Sequence, residues 1–215
     1  MITQLSGLLG TLLTVLFHWF GSYGLAIILL TLLLRLVLVP LTIPQLRMTR
    51  KMAEIGPAMK KLQEKFKQDP QRQQKEILAL WKKNNVNPAA GCLPLLLQMP
   101  FLWALFYTFR DYHYIAASAG FLWIPSLSHP DPSYVMAVLV AVTTYLSMRF
   151  ASPTTTTDSS QRITFLILPV VFGYFSANYA AGLSLYWVVS NLFTYAQQVV
   201  LLKHLPGLKG GVTHS

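Results

Sequence analysis

The sequence predicts an all-α membrane protein with five membrane-spanning helices around a hydrophilic groove that opens to the cytoplasm. Three observations carry this prediction. Apolar residues make up 53% of the 215 residues and charged residues only 11%, against roughly 25% charged in soluble domains. Five windows of about twenty residues are apolar enough to span a bilayer. Nearly all of the basic residues lie on one side of these windows.

The first segment, residues 1–21, predicts an amphipathic helix in the outer membrane interface. Apolar residues recur at helical spacing from Leu5 to Phe20, and small or weakly polar residues occupy the opposite face. The Gly21-Ser22 pair ends this pattern. A sixth short span is the alternative, but its length is marginal and it would invert the charge pattern. The uncharged start is unlike the basic start of a secretory signal peptide.

The core, residues 22–203, holds the five predicted spans, and residues 204–215 are expected to form a short disordered tail. Eleven of the seventeen Lys/Arg residues lie between Arg47 and Lys83. The positive-inside rule therefore places that segment in the cytoplasm, the N-terminus outside and the C-terminus inside. The predicted spans are about 23–43, 92–110, 133–150, 163–180 and 183–202.

The cytoplasmic segment 46–88 predicts a helical hairpin. Its first arm carries a stripe of apolar residues spaced alternately three and four apart, as in coiled coils. Gln68-Asp69-Pro70 breaks this arm, and a second helical pattern follows before Asn87-Pro88. A solvated charged loop remains the alternative for the tip. The stripe consists of Met52, Ile55, Met59, Leu62 and Phe66.

Arg35 lies within an apolar run from Leu25 to Leu41, and no predicted span contains a carboxylate. An arginine at mid-bilayer costs ~2.5–3.5 kcal/mol by insertion scales, so we expect water around it. Neutral polar residues in the same cytoplasmic half support a hydrated cavity. Snorkelling of Arg35 to the interface and ordinary interhelical hydrogen bonding are the alternatives. The polar residues are Gln98, Thr143, Thr144, Ser147, Asn191, Thr194, Gln197 and Gln198.

Enzymatic chemistry has no support in the sequence. It contains no H-E-x-x-H, Walker A or dinucleotide motif, and Cys92 and the five histidines have no metal-ligand spacing. Ser184 lies in a run that superficially resembles a serine nucleophile turn, but His204 is expected at the opposite membrane face. We therefore expect no cofactor, no metal and no enzyme. Ion-coupled carriers usually hold acids or histidines in their spans, which argues against a carrier here. A small-solute channel remains an alternative function.

Three runs of the sequence resemble the YidC-type membrane protein insertases, relatives of the mitochondrial Oxa and chloroplast Albino proteins. The resemblance covers about residues 22–203 in co-linear order. It includes the arginine of the first span, the hairpin, N-P-x-x-G-C-L-P, Q-M-P and G-L-x-L-Y-W. The runs are RLVLVPLTIPQLRMTRKMAEIGPAMKKLQEKF, NVNPAAGCLPLLLQMPFLWALF and LPVVFGYFSANYAAGLSLYWVVSNLFTYAQQ.

The resemblance implies a multi-pass protein of the bacterial inner or plasma membrane that inserts and helps to fold small membrane proteins. Its groove is expected to be sealed on the outer side. Many bacterial relatives carry glutamine near the position of Ser147, so one groove wall is less polar here. The predicted substrate groove comprises Arg35, Gln98, Thr144, Ser147, Trp187 and Asn191.

The partners implied are nascent membrane proteins and the lipid bilayer, with the Sec translocon and the ribosome as further partners and no small-molecule substrate. Because the sequence has no long basic tail, ribosome contact is expected at the hairpin. A non-catalytic assembly or scaffold factor for membrane complexes is the alternative function. The predicted hairpin contacts are Arg47, Arg50, Lys51, Lys60, Lys61 and Lys65.

Overall fold

The computed structural model describes residues 2–87, 98–99, 102–108, 120–151 and 159–204. Regular structure in these ranges is helical, apart from one isolated β-bridge. Most of the predicted span 92–110, and the predicted tail after residue 204, lie outside them. Residues 102–108 are helical. The named helices are α1 (Ile2–Phe20), α2 (Tyr23–Lys65), α3 (Pro70–Lys83), α4 (Val135–Ala151), α5 (Ser159–Asn178) and α6 (Ala181–His204).

Helix α1 packs one apolar face against α2 and leaves another exposed. Leu9 and Leu13 are fully buried, whereas Trp19 is 80% exposed. The helix ends at Gly21, whose φ of +66° is in the left-handed region that glycine tolerates. Beyond this break Tyr23 stacks on Phe17 with ring centroids 3.9 Å apart. The Gly21 break therefore folds α1 back onto the start of α2.

Helix α2 runs for 43 residues and continues through Pro40, Pro44 and Pro57. The sequence placed a span ending near residue 43 and a separate hairpin from 46, but the structure has no helix end between them. Each interior proline removes one backbone hydrogen bond. Packing against α6 holds the helix together, so the prolines weaken α2 locally without ending it.

The hairpin turn follows Lys65. The Asp69 side chain caps α3 by accepting from the backbone N–H of Arg72 at 3.0 Å. Across the turn, the Gln73 side chain donates to the backbone carbonyl of Gln63 at 2.8 Å. These contacts join α2 and α3 into a helical hairpin.

The other helices form a bundle with a small-residue contact at its centre. A Cβ atom added at Gly173 of α5 would lie 3.1 Å from Ala137 O and Ala141 Cβ of α4. Small residues let helix backbones approach closely in membranes. The buried core joins α1, α2, residues 102–108, α4 and α6, and includes Ala26, Ile27, Ala104, Leu105, Met136, Val140 and Leu185.

Residues 120–134, which we call the clasp, connect the helix ends at one side of the bundle. Ile124 and Leu127 are buried in the core. The Leu127 carbonyl accepts from Gly182 N at 2.8 Å, at the start of α6. A Cβ atom at Gly24, near the start of α2, would overlap the Phe121 ring. The clasp therefore ties the starts of α2, α4 and α6 together.

Apolar side chains cover much of the outside of the bundle. By length and composition one described segment, Tyr23–Thr49 with mean hydropathy 2.6, is long and apolar enough to cross a membrane; Gln4–Phe20, Val135–Arg149 and Phe165–Asn178 are shorter apolar helices. Apolar exposure on this scale is typical of contact with lipid. The number of spans stays a prediction. Exposed large apolar residues include Leu36, Val37, Val138, Leu166, Val170 and Leu192.

Candidate functional site

Arg35 lies on α2 facing α6. It is partly buried, and in the described part of the chain no ion pair or hydrogen bond is recorded for it. It lies close to the phenol of Tyr186 on α6. That hydroxyl accepts a hydrogen bond from the Gln98 side chain. Arg35 and Gln98, both predicted site residues, are thus linked through Tyr186, which sequence reasoning did not single out.

A second polar group lies between α4 and α6. The Asn191 side chain donates to Thr143 Oγ1 at 3.2 Å and to Thr144 Oγ1 at 3.0 Å. The Trp187 indole donates to the same Thr144 oxygen at 3.3 Å. Ser147 lies one turn further along α4 and is partly exposed. The structure therefore brings Thr144, Trp187 and Asn191 together, and leaves Ser147 beside them.

Polar residues continue along one stripe of α2 and one stripe of α6 toward the hairpin. At about 100° per residue, Thr31, Arg35, Thr42 and Gln45 fall within an arc of about 80° on α2. Trp187, Asn191, Thr194 and Gln198 fall within about 60° on α6. The Gln197 side chain donates to Thr42 Oγ1 at 2.5 Å, which joins the two helices. We call these two stripes, with Gln98, Thr143, Thr144, Tyr186 and Gln197, the polar seam.

Beside the polar seam lies an apolar pocket of about 380 Å³. It is bounded by Met99, residues 102–106, α4, α5 and α6. Trp187 lines it and packs on Phe172, with ring centroids 4.5 Å apart. The same tryptophan therefore presents its ring to the pocket and its N–H to the seam. Other apolar lining residues are Met99, Leu102, Phe106, Val140, Phe175 and Leu183.

Ser184 has a structural partner in this pocket. Its hydroxyl lies 2.6 Å from the Ser176 hydroxyl, and both side chains are buried. The pair joins α5 to α6. Among the described residues no group of three or more His, Cys, Asp or Glu could hold a metal ion.

The basic residues of the hairpin lie beyond the polar seam and form a separate surface. The structure places Arg47, Lys51, Lys61 and Lys65 on the exposed surface of α2. Lys60 is partly buried. Arg50 is helical, but its side chain falls outside the described residues.

Asp131 in the clasp is a buried carboxylate that sequence reasoning missed. It is only 4% exposed and accepts from Ser133 N at 3.0 Å, Ser133 Oγ at 2.7 Å, Met136 N at 2.9 Å and Trp123 Nε1 at 3.4 Å. Burial raises the pKa of Asp131, but these hydrogen bonds outweigh burial and hold the pKa below its usual value of 3.8. An aspartate just before an apolar helix is a helix-start signal that would have indicated this role.

The fold and this site define the class of protein: an all-helical membrane protein with polar groups inside the bundle and apolar side chains outside. The 60Kd inner membrane protein family matches residues 15–207, and the chain belongs to that family of bacterial membrane insertases. The family carries out no covalent catalysis, and the chain is not an enzyme.

Named relatives and a solved structure agree with this assignment. The chain is 39% identical to the membrane protein insertase YidC of Caldanaerobacter subterraneus subsp. tengcongensis over 202 residues, which cover 94% of this chain and 96% of the relative. Against the YidC of Wolinella succinogenes the identity is 40% over 198 residues, covering 92% of this chain and 37% of the relative.

The crystal structure of an active YidC insertase with its first transmembrane domain resolved superposes with a TM-score of 0.74 at 31% identity. The match covers 89% of this chain and 44% of that one. The chain thus spans nearly all of one relative and less than half of the longer proteins.

Proposed function

We propose that this chain inserts membrane-protein segments from the cytoplasmic side, with the polar seam receiving the segment's polar flank and the apolar pocket contacting its apolar side chains. One observation carries the proposal: Trp187 belongs to both surfaces, through its bond to Thr144 and its place in the pocket wall. A segment with an apolar body and a polar end matches such a two-part site.

Arg35 supplies the attraction for the flank in this proposal. Nascent segments often carry short acidic flanks, and charge attraction strengthens as the effective dielectric falls. In the described part of the chain no carboxylate pairs with Arg35, so its charge is available to an incoming acid. Burial of the apolar segment in lipid then supplies the driving force, and no nucleotide is needed.

The proposal includes five spans, with the N-terminus outside and the hairpin in the cytoplasm. The charge distribution supports this orientation, since Arg47, Lys51, Lys61 and Lys65 are all exposed on α2 beyond its apolar stretch. Such a basic surface suits anionic lipid headgroups or ribosomal RNA. We propose it as the contact for the ribosome, and the Sec translocon as a further partner.

Charge reversal at Arg35 tests the proposal. Cells depleted of their own insertase would express wild type, Arg35→Glu or Arg35→Lys, with two substrates that differ only in an acidic or a neutral flank. We expect Arg35→Glu to lower insertion of the acidic substrate at least about tenfold, consistent with a loss of ~1.4 kcal/mol or more. Arg35→Lys should retain most insertion, and the neutral substrate should lose less.

Arg149→Glu is the matched control, because Arg149 is exposed in the last turn of α4 and belongs to neither the polar seam nor the hairpin surface. If Arg35→Glu inserts the acidic substrate as well as wild type does, Arg35 has no electrostatic role. Photocrosslinking from position 187 in the same cells distinguishes a scaffold: an insertase traps nascent chains there, and a scaffold traps only folded partners.

A further inference from the structure

Two buried glutamines at the hairpin end of the polar seam have unmet hydrogen bonds. Gln45 of α2 is 7% exposed and Gln198 of α6 is 6% exposed. Gln45 Nε2, a donor, and Gln198 Oε1, an acceptor, find no hydrogen-bond partner among the described residues. Buried polar groups are nearly always paired, so these two amides need a partner that the described residues do not supply.

Both amides lie close in sequence to the polar contact that joins α2 to α6. Gln198 is adjacent in sequence to Gln197, and Gln45 lies one turn after Thr42, the two residues that join α6 to α2. Thr49 donates to the Gln45 backbone carbonyl at 3.1 Å, so its hydroxyl is satisfied within α2. The unmet donor and acceptor therefore each lie within one helical turn of the Gln197–Thr42 bond that joins these two helices.

We propose that Gln45 and Gln198 bind the peptide backbone of the polar flank as it passes between α2 and α6. A peptide group offers one acceptor, its C=O, and one donor, its N–H. These are the groups that Gln45 Nε2 and Gln198 Oε1 lack. Recognition of the backbone is independent of side-chain sequence, so it serves neutral flanks that Arg35 does not attract. This inference rests on the proposed insertase function.

The prolines of α2 give the flank a route to these buried atoms. Pro40 and Pro44 each lack a backbone N–H, so α2 is weakened on both sides of Thr42. Bending there separates Thr42 from Gln197 and exposes Gln45. The backbone of the flank then replaces the Thr42–Gln197 hydrogen bond with its own bonds to the amides.

Backbone N-methylation of the flank tests the proposal in proteoliposomes that contain the full chain. The probe is a synthetic apolar segment of about twenty residues with an uncharged glycine–serine flank, or the same segment with every flank N–H methylated. The readout is the initial insertion rate above protein-free liposomes. We expect N-methylation to slow wild type about fivefold to tenfold, equivalent to the loss of one hydrogen bond. The Gln45→Leu/Gln198→Leu variant should insert both probes at the same slow rate.

Thr49→Val is the matched control in the same stripe and should discriminate between the probes as wild type does. If N-methylation does not slow wild type, or slows the double variant equally, the amides do not bind the flank backbone and hold water or remain unpaired. A third probe with an acidic flank separates the two proposals. If the acidic probe is inserted and N-methylation has no effect, only this inference is overturned. If the acidic probe is not inserted faster than in protein-free liposomes, the proposed function is overturned as well.

Discussion

The two ends of the helical bundle treat their buried polar groups in opposite ways. At the clasp end, the one buried carboxylate of the described chain, Asp131, receives four hydrogen bonds. Within the polar seam, Arg35 has no recorded hydrogen bond among the described residues, and at the hairpin end of the seam neither do Gln45 Nε2 and Gln198 Oε1. The carboxylate of the clasp is satisfied, whereas the guanidinium and the two amides of the seam are not; the clasp also holds one buried hydroxyl without a described partner, Ser128 Oγ.

This difference has an energetic meaning. A hydrogen bond to a charged group contributes about 1.5–3 kcal/mol, whereas a buried polar atom without a partner costs about 1–3 kcal/mol. The hydrogen bonds of Asp131 therefore stabilise the clasp end, whereas the two unpaired amides destabilise the hairpin end. A closed, rigid end and a receptive end are what a protein needs if it accepts polar segments from one side only.

Removal of the Asp131 side chain tests this comparison with the largest expected loss of stability. Asp131→Ala leaves the buried backbone N–H of Met136 without its acceptor and removes the cap of α4. We expect a loss of about 2–4 kcal/mol, which lowers the apparent Tm by roughly 5–15 °C at a fixed scan rate.

Asp69→Ala provides the matched control, since Asp69 also caps a helix but is exposed and makes a single recorded bond, to Arg72 N. Its loss should stay below about 1 kcal/mol. Equal Tm shifts for the two variants would mean that the clasp is no better ordered than the hairpin.

The sequence predicted the local elements well because they depend on near neighbours. The turn at Gly21, the break before Pro70 and the helical spacing of α2 are all short-range signals. The role of Asp131 was equally local, yet the many prolines around it favoured a loop without further structure. The continuity of α2 through Pro40 and Pro44 was not predictable, because contacts with α6, far away in the chain, maintain it.

The pH dependence of stability gives a second, smaller test at the clasp. Because the pKa of Asp131 in the folded protein lies below 3.8, the ionised carboxylate stabilises the fold above that pH. This contribution is lost as the pH falls through 3.8 and then through the lower folded pKa. The effect is smaller than that of Asp131→Ala, because a protonated carboxyl keeps an acceptor oxygen.

The measurement compares the apparent Tm of wild type with that of Asp131→Asn, which cannot titrate. We expect a constant Tm difference between about pH 5 and 7 that shrinks below about pH 4. A difference that stays constant through this range would show that the four hydrogen bonds do not depend on the charge of the carboxylate.

The candidate site was predicted only as far as residue type allows. Arg35, Gln98, Thr144 and Asn191 are conspicuous because polar residues are rare in apolar runs. The apolar pocket could not be predicted, since Met99, Phe172 and Leu183 look like ordinary membrane residues until three helices bring them together. Gln45 was missed because it lies at the expected edge of the membrane, where an exposed glutamine needs no explanation.

The smallest test concerns Gln45 and distinguishes an unpaired amide from a paired one. Gln45→Leu removes a buried donor without a described partner, so we expect unchanged stability or a gain of up to about 1 kcal/mol. Thr42→Val in the same stripe breaks the bond from Gln197 and should lose about 0.6 kcal/mol, at most about 1.7. Apparent Tm values in matched detergent provide the comparison. A loss for Gln45→Leu as large as for Thr42→Val would mean that Gln45 is already paired and that the hairpin end is as complete as the clasp.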